Sequence, residues 1–434
     1  MQISIEAKQQ AQALLDFIDT SPSPWHAVDN VASRLKAHGF KSLCEDESWQ
    51  FKQGDKYFVV RDGGSIVAFV LGQQPISNSG FRIIGAHTDS PGLRLKPQAA
   101  YSSEGMAQLG VEVYGGPILA TFTDRDLSLA GRITVQTEDG LSSHLVKFDQ
   151  AIARLPNLAI HMNREVNEKG LLLNKQTGLP LIFGHAANTE AAKQSLTEAL
   201  SNTLQVPISA IISWDLALYD VQKGCFWGMD QEFIADSQLD NLASCHAALE
   251  ALLSTEKPTS TLICALFDHE EVGSESATGA GGSFLLDVIE RICHSTQLTA
   301  EDKLRGFAKS FFISADMAHA FHPNHAGSYE PCHHVHVNQG PVIKTNANQR
   351  YSTNATTAAR FIQLCQQAGV SYQQYTHRTD LGCGSTIGPI MAGQLGIATV
   401  DVGNPMWAMH SIRECAGVLD HSLMIAALKQ HFAS

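Results

Sequence analysis

The sequence lacks the features that mark several common classes of protein. Its nine cysteines are scattered and odd in number, with no C-x-x-C pair, so a disulfide framework is not expected. No apolar run is long enough to span a bilayer, and residues 1–8 lack the basic and then apolar pattern of a secretory signal. We therefore expect a cytoplasmic protein with reduced thiols that does not contact a membrane.

Positive charge is also scarce in this chain. Its 30 Lys and Arg residues are outnumbered by 43 Asp and Glu residues, which gives a formal net charge of -13 at pH 7. Nucleic-acid binding normally needs a basic face, so no nucleic-acid partner is expected. There are no internal repeats, and the 434 residues allow two or three domains at roughly 150 residues per domain.

One apolar run ends in an unusual cluster of acidic residues. Residues 260–267 are short, apolar and β-leaning, which predicts a buried strand, and Asp268, His269, Glu270 and Glu271 follow directly. Adjacent glutamates repel each other unless a cation lies between them. A metal would resolve this conflict if one Glu were a ligand and the other remained free as a base. The zincin motif H-E-x-x-H is absent because Gly273 stands at its last position. A solvated acidic turn is the alternative.

Metal-capable side chains follow other predicted elements as well. A strand that begins near residue 81 ends at His87 and Asp89, whose side chains point to the same side in an extended chain. Asp89 could then accept the second ring N–H of a metal-bound His87, although a His–Asp hydrogen bond that closes a turn is the alternative. The strand at residues 311–316 ends in Asp316, and His410 follows a strand at residues 396–402.

Asp240 lies near the start of a predicted helix, where it suits the helix dipole or serves only as an N-cap. With it, the candidates comprise two histidines and three carboxylates, which can hold two divalent cations with one Asp as the bridge. Such mixed N/O ligation suits zinc and tolerates manganese or cobalt. Two metals about 3.5–4 Å apart would polarise a carbonyl and generate hydroxide. Glu270, next to the ligand Glu271, would be the general base.

The alternation of helix and strand predicts an α/β fold that is interrupted once. From about residue 97 to residue 235, strand-like runs with Gly and Pro turns dominate, with one helix at about residues 191–204. We interpret residues 97–235 as an inserted β-rich domain. Residues 1–96 and 236–434 then form a discontinuous catalytic domain.

Taken together, these motifs resemble the aspartyl aminopeptidase family of dinuclear zinc exopeptidases. The matching stretches are S-P-S-P (21–24), G-A-H-T-D-S-P (85–91), L-D-N (239–241), E-E-V-G-S-E-S (270–276), S-A-D-M-A-H-A (314–320), G-P-V-I-K (340–344) and A-M-H-S-I-R-E (408–414). They span nearly the whole chain. The resemblance implies a three-layer α/β/α zinc-exopeptidase-like catalytic domain, an inserted dimerisation domain, and a tetrahedral homododecamer built from dimers.

The resemblance also implies a role for each site residue. One metal is bound by His87, Asp240 and Asp316, and the other by Asp240, Glu271 and His410. Asp89 orients His87, and Glu270 is the base.

Four further residues receive roles outside the metal ligands. Lys344, His319 and Asp380 are predicted to bind substrate, Asp380 by holding its α-ammonium group. Lys344 lies in a stretch that resembles the family's substrate-pocket loop, which implies that it selects acidic N-terminal residues of peptides. The resemblance also implies that His161 acts in the active site of a neighbouring subunit. From spacing alone, His161 is a histidine at the edge of an apolar turn, and Lys344 is a surface lysine.

Two features depart from the family pattern or stand outside it. Gln238 stands where an Arg is expected before Leu239, and residues 331–336 are rich in histidine, as in an exposed loop. Neither involves a proposed ligand. The leading hypothesis is thus a metalloaminopeptidase that prefers acidic N-terminal residues. The alternatives are a related deacylase of N-acyl amino acids and a non-enzymatic metal-binding assembly protein.

Overall fold

The structure, a computed structural model, describes residues 3–434, which form helices and three sheets. The helices are α1 (Ile5–Asp19), α2 (Pro24–Ala37), α3 (Ile76–Ser79), α4 (Val166–Lys169), α5 (Thr189–Leu204), α6 (Leu239–Leu253), α7 (Phe284–Ser295), α8 (Ala300–Lys309), α9 (Ala355–Ala368), α10 (Ile387–Leu395) and α11 (Val418–Ala433). The strands are β1 (Lys41–Leu43), β2 (Lys56–Arg61), β3 (Ser65–Val70), β4 (Phe81–His87), β5 (Gly92–Ser103), β6 (Met106–Tyr114), β7 (Leu127–Thr137), β8 (Gly140–Lys147), β9 (Leu181–His185), β10 (Ile211–Asp220), β11 (Cys225–Trp227), β12 (Phe233–Asp236), β13 (Thr261–Phe267), β14 (Phe311–Ala315), β15 (Ala318–His319), β16 (Val342–Thr345), β17 (Gln373–Thr376), β18 (Ala398–Gly403), β19 (Pro405–Trp407) and β20 (Glu414–Gly417).

The largest sheet forms the middle layer of a three-layer α/β/α domain. Its strand order is β1-β2-β3-β13-β4-β14-β18-β16-β17, and the four neighbours β13, β4, β14 and β18 are parallel. Side chains of β4 alternate between two cores: Ile84 joins the helices α1, α6 and α11 on one face, and Ile83 joins α7 and α10 on the other. Helices cover both faces, as is usual for a sheet with parallel central strands. The predicted fold class is confirmed.

A second, six-stranded sheet has its own hydrophobic core. It has the order β8-β7-β10-β5-β6-β9, its strand pairs are antiparallel, and α5 packs against it. Its first strand in the chain, β5, begins at Gly92, a few residues before the predicted boundary at residue 97. A third sheet, β11-β12-β20-β19-β15, joins the end of the predicted insertion to strands near the C-terminus. This pairing ties residues 225–236 to the surroundings of His410.

Most predicted elements are present, and their ends follow local capping chemistry. The Ser23 side chain caps α2, which begins with Pro24 as the first helical residue. Helix α9 begins at Ala355, because the Asn354 side chain accepts the N–H groups of Thr356 and Thr357. Within residues 3–434, no helix is both long and apolar enough to cross a membrane.

Candidate metal centre

The parallel strands bring the predicted side chains to one edge of the large sheet. His87 is the last residue of β4, Asp316 follows β14, and a single turn of 3-10 helix after β13 carries Glu270 and Glu271. The carboxyl ends of neighbouring parallel strands lie side by side, which is where open α/β sheets bind ligands. The other two candidates reach this edge from α6 and from the connection between β19 and β20.

The first group of side chains surrounds the ring of His87. Its Nε2 atom lies 3.5 Å from Asp240 Oδ1 and 3.5 Å from Asp316 Oδ1, with Glu270 Oε2 at 4.0 Å. On the other side of the ring, Nδ1 donates to the backbone carbonyl oxygen of Asp89 at 3.0 Å. A carbonyl can only accept, so the Nδ1 atom carries a proton and Nε2 is the ring nitrogen that faces the carboxylates.

The second group shares Asp240 with the first. His410 Nε2 lies 3.4 Å from Asp240 Oδ2 and 3.4 Å from Glu271 Oε1. The ligand atoms of each set, His87 with Asp240 and Asp316, and Asp240 with Glu271 and His410, lie within 4.8 Å of one another. The two oxygens of one carboxylate therefore face two different clusters. This is the arrangement needed for a bridging ligand.

Two buried carboxylates hold the backbone of these residues. Asp89 accepts the N–H of Glu270 on one oxygen and the N–H of Glu271 on the other, both at 3.1 Å. Glu414 accepts the N–H of Asp240 at 2.9 Å and the N–H of His410 at 2.7 Å. Each carboxylate thus bridges two backbone positions of the cluster. Hydrogen bonds of this charge-assisted kind are stronger than neutral ones, so they fix the relative positions of the side chains.

The electrostatics of the cluster favour the binding of a cation. Burial and the neighbouring carboxylates raise the pKa of Glu270 to about 8 and that of Glu271 to about 7. Although burial alone would lower it, the contacts with Asp240 and Glu271 raise the pKa of His410 to about 11. The pKa of His87 is likewise held well above its usual value by Asp240, Asp316 and Asp89, despite burial. These four pKa values are raised because several carboxylates are packed close together, so that each bound proton reduces their mutual repulsion.

The donor set fits divalent cations. Asp240 Oδ1 is buried and accepts no hydrogen bond within residues 3–434, so a polar atom is left without the partner that burial requires. Imidazole nitrogens with carboxylate oxygens suit zinc, and cations placed within the two sets would neutralise the repelling carboxylates. His87, Asp240 and Asp316 would hold one ion, and Asp240, Glu271 and His410 the other.

The cluster opens into a cavity of about 590 Å³, a size typical of small-molecule sites. Besides the ligand candidates and Glu270, it is lined by side chains that include Met317, His319, Lys344, Tyr351, Ser385 and Met409. Lys344 is almost fully buried, and its Nζ atom donates to the carbonyl oxygens of Asp316 and Met317 at 2.9 and 3.1 Å. Burial and the nearby Lys344 lower the pKa of His319 to about 4, which keeps the ring neutral.

Two of the predicted site residues lie elsewhere. Asp380 is exposed and pairs with Arg378 at 2.6 Å, and it is not among the described residues that line the cavity. His161 is exposed in the loop between β8 and β9 of the second sheet, also outside the cavity of its own chain. The structure thus brings together the ligand candidates, Asp89, Glu270, His319 and Lys344, and leaves His161 and Asp380 apart from them.

Sequence reasoning assigned no role to Glu414, Tyr351 or Met409. Glu414 and Met409 lie within the A-M-H-S-I-R-E stretch, so that stretch was the available signal. Tyr351 follows a loop with no recognisable pattern, and only the fold brings it to the cavity. A polar residue that acts through hydrogen bonds to distant backbone leaves no periodic trace in a sequence.

Known proteins resemble this chain over nearly its whole length. The family model described as aminopeptidase I zinc metalloprotease (M18) matches residues 17–432. A probable M18 family aminopeptidase 2 of Ectopseudomonas mendocina is 46% identical over 426 residues, which cover 98% of each chain. A chain in the cryo-EM structure of the Ape4 and Nbr1 complex superimposes with a TM-score of 0.94 at 39% identity, covering 100% of this chain and 88% of the other. A chain of the S. cerevisiae mApe1 dodecamer superimposes with a TM-score of 0.86 at 28% identity, covering 98% of this chain and 97% of the other.

The fold and these likenesses define a metal-dependent aminopeptidase, a hydrolase that acts on peptide bonds. The chain belongs to the M18 family of aminopeptidase I zinc metalloproteases. Membership favours this activity over the deacylase and over the non-enzymatic assembly protein.

Replacing Glu414 by Gln is expected to weaken metal binding. The glutamine amide has one acceptor oxygen, and its NH₂ group would face the other backbone N–H. Either Asp240 or His410 therefore loses the hydrogen bond that holds its backbone. Loss of such an outer partner typically lowers metal affinity about 10–100-fold. Competition with a chromogenic chelator for zinc measures the change.

Asp420→Asn is the matched control, because Asp420 is also buried and accepts two backbone N–H groups, those of Asn338 and Gly340. It should lose thermal stability without a change in zinc affinity. Equal zinc affinities for the Glu414 variant and the wild type would contradict the proposed support.

Proposed function

We propose that this aminopeptidase removes acidic N-terminal residues from peptides, using two zinc ions per chain. The observation that carries the proposal is the convergence of the two ligand sets on the shared carboxylate of Asp240. In this proposal, His87, Asp240 and Asp316 hold one ion and Asp240, Glu271 and His410 the other. Manganese or cobalt would suit the same donors. The bound ions supply Lewis-acid activation of the scissile carbonyl and of the attacking water.

Glu270 is the general base in this proposal. Its carboxylate lies beside His87 and lines the cavity, with its backbone fixed by Asp89. Its side chain is only 14% exposed, so few waters compete for the carboxylate. It can take a proton from the attacking water and deliver it to the leaving amine.

Lys344 is the proposed determinant of acidic preference. An ammonium has three N–H donors, and the carbonyls of Asp316 and Met317 accept two of them. The residue lines the cavity, and its ammonium also lies 3.5 Å from Asp316 Oδ2. A substrate carboxylate would take the remaining donor in place of this looser contact. His319, neutral beside it, is a second polar contact. Asp380 is retained as a proposed contact for the substrate's α-ammonium group, although in this chain it pairs with Arg378.

We also propose an assembly of twelve chains in which residues 97–235 mediate dimerisation. The yeast mApe1 neighbour is a dodecamer. In this chain, the loop that carries His161 exposes the apolar side chains of Leu158, Ile160 and Met162, which are 69%, 47% and 76% exposed. Such a cluster is typical of a surface that another subunit covers. His161 would then be a donor to the reacting carbonyl in the neighbouring site. Light scattering measures the assembly.

A cytoplasmic location is proposed as well, because the described structure leaves all nine cysteines free. Fractionation of cells that express the chain tests it, and recovery from an oxidising compartment would contradict it.

Glu270→Gln should retain both metal ions and lose activity. The amide cannot act as a base, so kcat should fall about 10²–10⁴-fold while bound zinc, measured by elemental analysis, is unchanged. Glu275→Gln, an exposed residue of the same segment, is the control and should turn over normally. Chelation should abolish activity in the wild type, and zinc should restore it. Normal turnover by the metal-loaded Glu270 variant would refute the role of the base.

Lys344→Met should reduce the preference for acidic residues. The quantity to measure is the ratio of kcat/KM for aspartyl and leucyl substrates. A hydrogen bond to a charged group contributes about 1.5–3 kcal/mol, so the ratio should fall about 10–100-fold. The substitution also leaves the carbonyl oxygens of Asp316 and Met317 without their donor, which should affect both substrates alike. The ratio of the two kcat/KM values therefore reports only the selectivity. An equal loss for the two substrates would assign Lys344 a purely structural role.

Complementation tests whether His161 acts across the interface. His161→Ala chains keep Glu270 but offer no donor to their neighbour. Glu270→Gln chains offer the His161 donor but lack the base in their own site. Each variant should therefore be nearly inactive alone. Equal co-expression should restore activity to about a quarter of the sites, since half of random dimers are mixed and one site of each is complete. Mixed assemblies that remain as inactive as the parents would rule out a shared site.

A further inference from the structure

We infer that residues 114–118, which lead out of strand β6 of the second sheet, position the metal ligands of the large domain. We call these residues the supporting segment. The inference rests on the ligand set proposed above and extends it. The second sheet is then not only a surface for subunit contact, because part of it determines the geometry of the metal centre.

The first contact of the supporting segment is with Asp89. The hydroxyl group of Tyr114 donates to Asp89 Oδ2 at 2.7 Å. The other oxygen of the same carboxylate lies 3.5 Å from His87 Nδ1. The guanidinium group of Arg94 stacks 3.5 Å from the centre of the Tyr114 ring, which holds the ring in place. A residue of the second sheet therefore orients the carboxylate that adjoins His87.

The second contact is with His410. Its Nδ1 atom donates to the carbonyl oxygen of Gly116 at 3.1 Å, and its own carbonyl oxygen accepts the N–H of Ile118 at 2.9 Å. Because a carbonyl only accepts, Gly116 fixes the tautomer in which Nε2 carries the lone pair. That atom is the one that faces Asp240 and Glu271. Partners of this kind orient a metal-bound imidazole and increase its basicity.

The third contact is the close packing of Gly115 against Glu271. Gly115 has φ +67°, and a Cβ atom at this position would lie 3.1 Å from Glu271 Cβ and 3.3 Å from its carbonyl oxygen. Only glycine adopts this conformation easily and leaves the required space. The backbone of the supporting segment thus lies directly against a ligand-bearing residue.

These three contacts involve both halves of the proposed metal site. Tyr114 acts on the His87 side through Asp89, whereas Gly115 and Gly116 act on Glu271 and His410. Strand β6 is paired with β5 up to its last residue, Tyr114, which lies opposite Gly92, so the supporting segment extends directly from the sheet. A shift of the second sheet would therefore move the ligands of both ions together.

Gly115→Ala tests this coupling, with Gly105→Ala as the matched control. Gly105 lies in the turn between β5 and β6 and has φ +76°, but no described atom lies within 4 Å of its Cβ position. Both variants carry the same kind of backbone strain, and they should lose similar thermal stability. Only Gly115→Ala should bind zinc more weakly, by about 10–100-fold in competition with a chromogenic chelator. The measurement needs no substrate.

Tyr114→Phe provides a milder second variant that keeps the ring and removes only the hydroxyl group. In the cobalt-substituted protein, its visible absorption spectrum should differ from that of the wild type, because the Asp89 carboxylate, which adjoins His87 and accepts the N–H groups of Glu270 and Glu271, loses its hydrogen bond from Tyr114. The spectrum of Gly105→Ala should match the wild type.

The inference is overturned if Gly115→Ala and Gly105→Ala bind zinc with equal affinity and Tyr114→Phe keeps the wild-type cobalt spectrum. If Gly115→Ala does not fold, the cobalt spectrum of Tyr114→Phe decides between the two outcomes. Wild-type protein that binds no stoichiometric zinc would overturn the ligand assignment itself, and the inference with it.

Discussion

Electrostatic repulsion between buried carboxylates is the constraint on which the site depends. Asp240, Glu270, Glu271 and Asp316 meet at one edge of the large sheet, where their side chains are only 3–14% exposed. Burial and the neighbouring carboxylates raise the pKa values of the two glutamates, and the same carboxylates raise those of both histidines. Divalent cations can replace protons on these groups and leave the carboxylates ionised for ligation and proton transfer.

The backbone around the cluster is held as firmly as the side chains. Asp89 and Glu414 each accept two backbone N–H groups from residues that carry site carboxylates or imidazoles. Two of the site's neighbouring residues, His269 and Ala408, and His410 itself have left-handed backbone conformations. Such conformations are costly outside glycine and persist where the surroundings impose them. These constraints fix the relative positions of the site residues, and preorganisation of this kind favours catalysis.

The two main sheets share the metal centre rather than lying side by side as independent units. The large sheet supplies most of the proposed ligands at its strand ends, and the second sheet supplies the supporting segment that contacts Asp89, Glu271 and His410. The third sheet joins β12 to β20, and β20 begins with Glu414. The exposed apolar loop on the second sheet and the proposed metal ligands of the large domain are thus parts of one continuous structure. In the proposed assembly, subunit association and ligand geometry can influence each other through it.

The sequence by itself determined the strands and the residues at their ends. A buried strand is a local apolar run, so the positions of His87, Glu270, Glu271 and Asp316 followed from where each run stops. Asp240 and His410 were weaker local signals, and the resemblance was needed to assign each of them to a particular metal ion. Only the tertiary structure decided which groups support the ligands: Glu414 contacts Asp240 across 174 residues of chain, and Gly116 contacts His410 across 294. Hydrogen bonds to backbone atoms depend on distance and direction in space, and neither property leaves a pattern in the order of the residues.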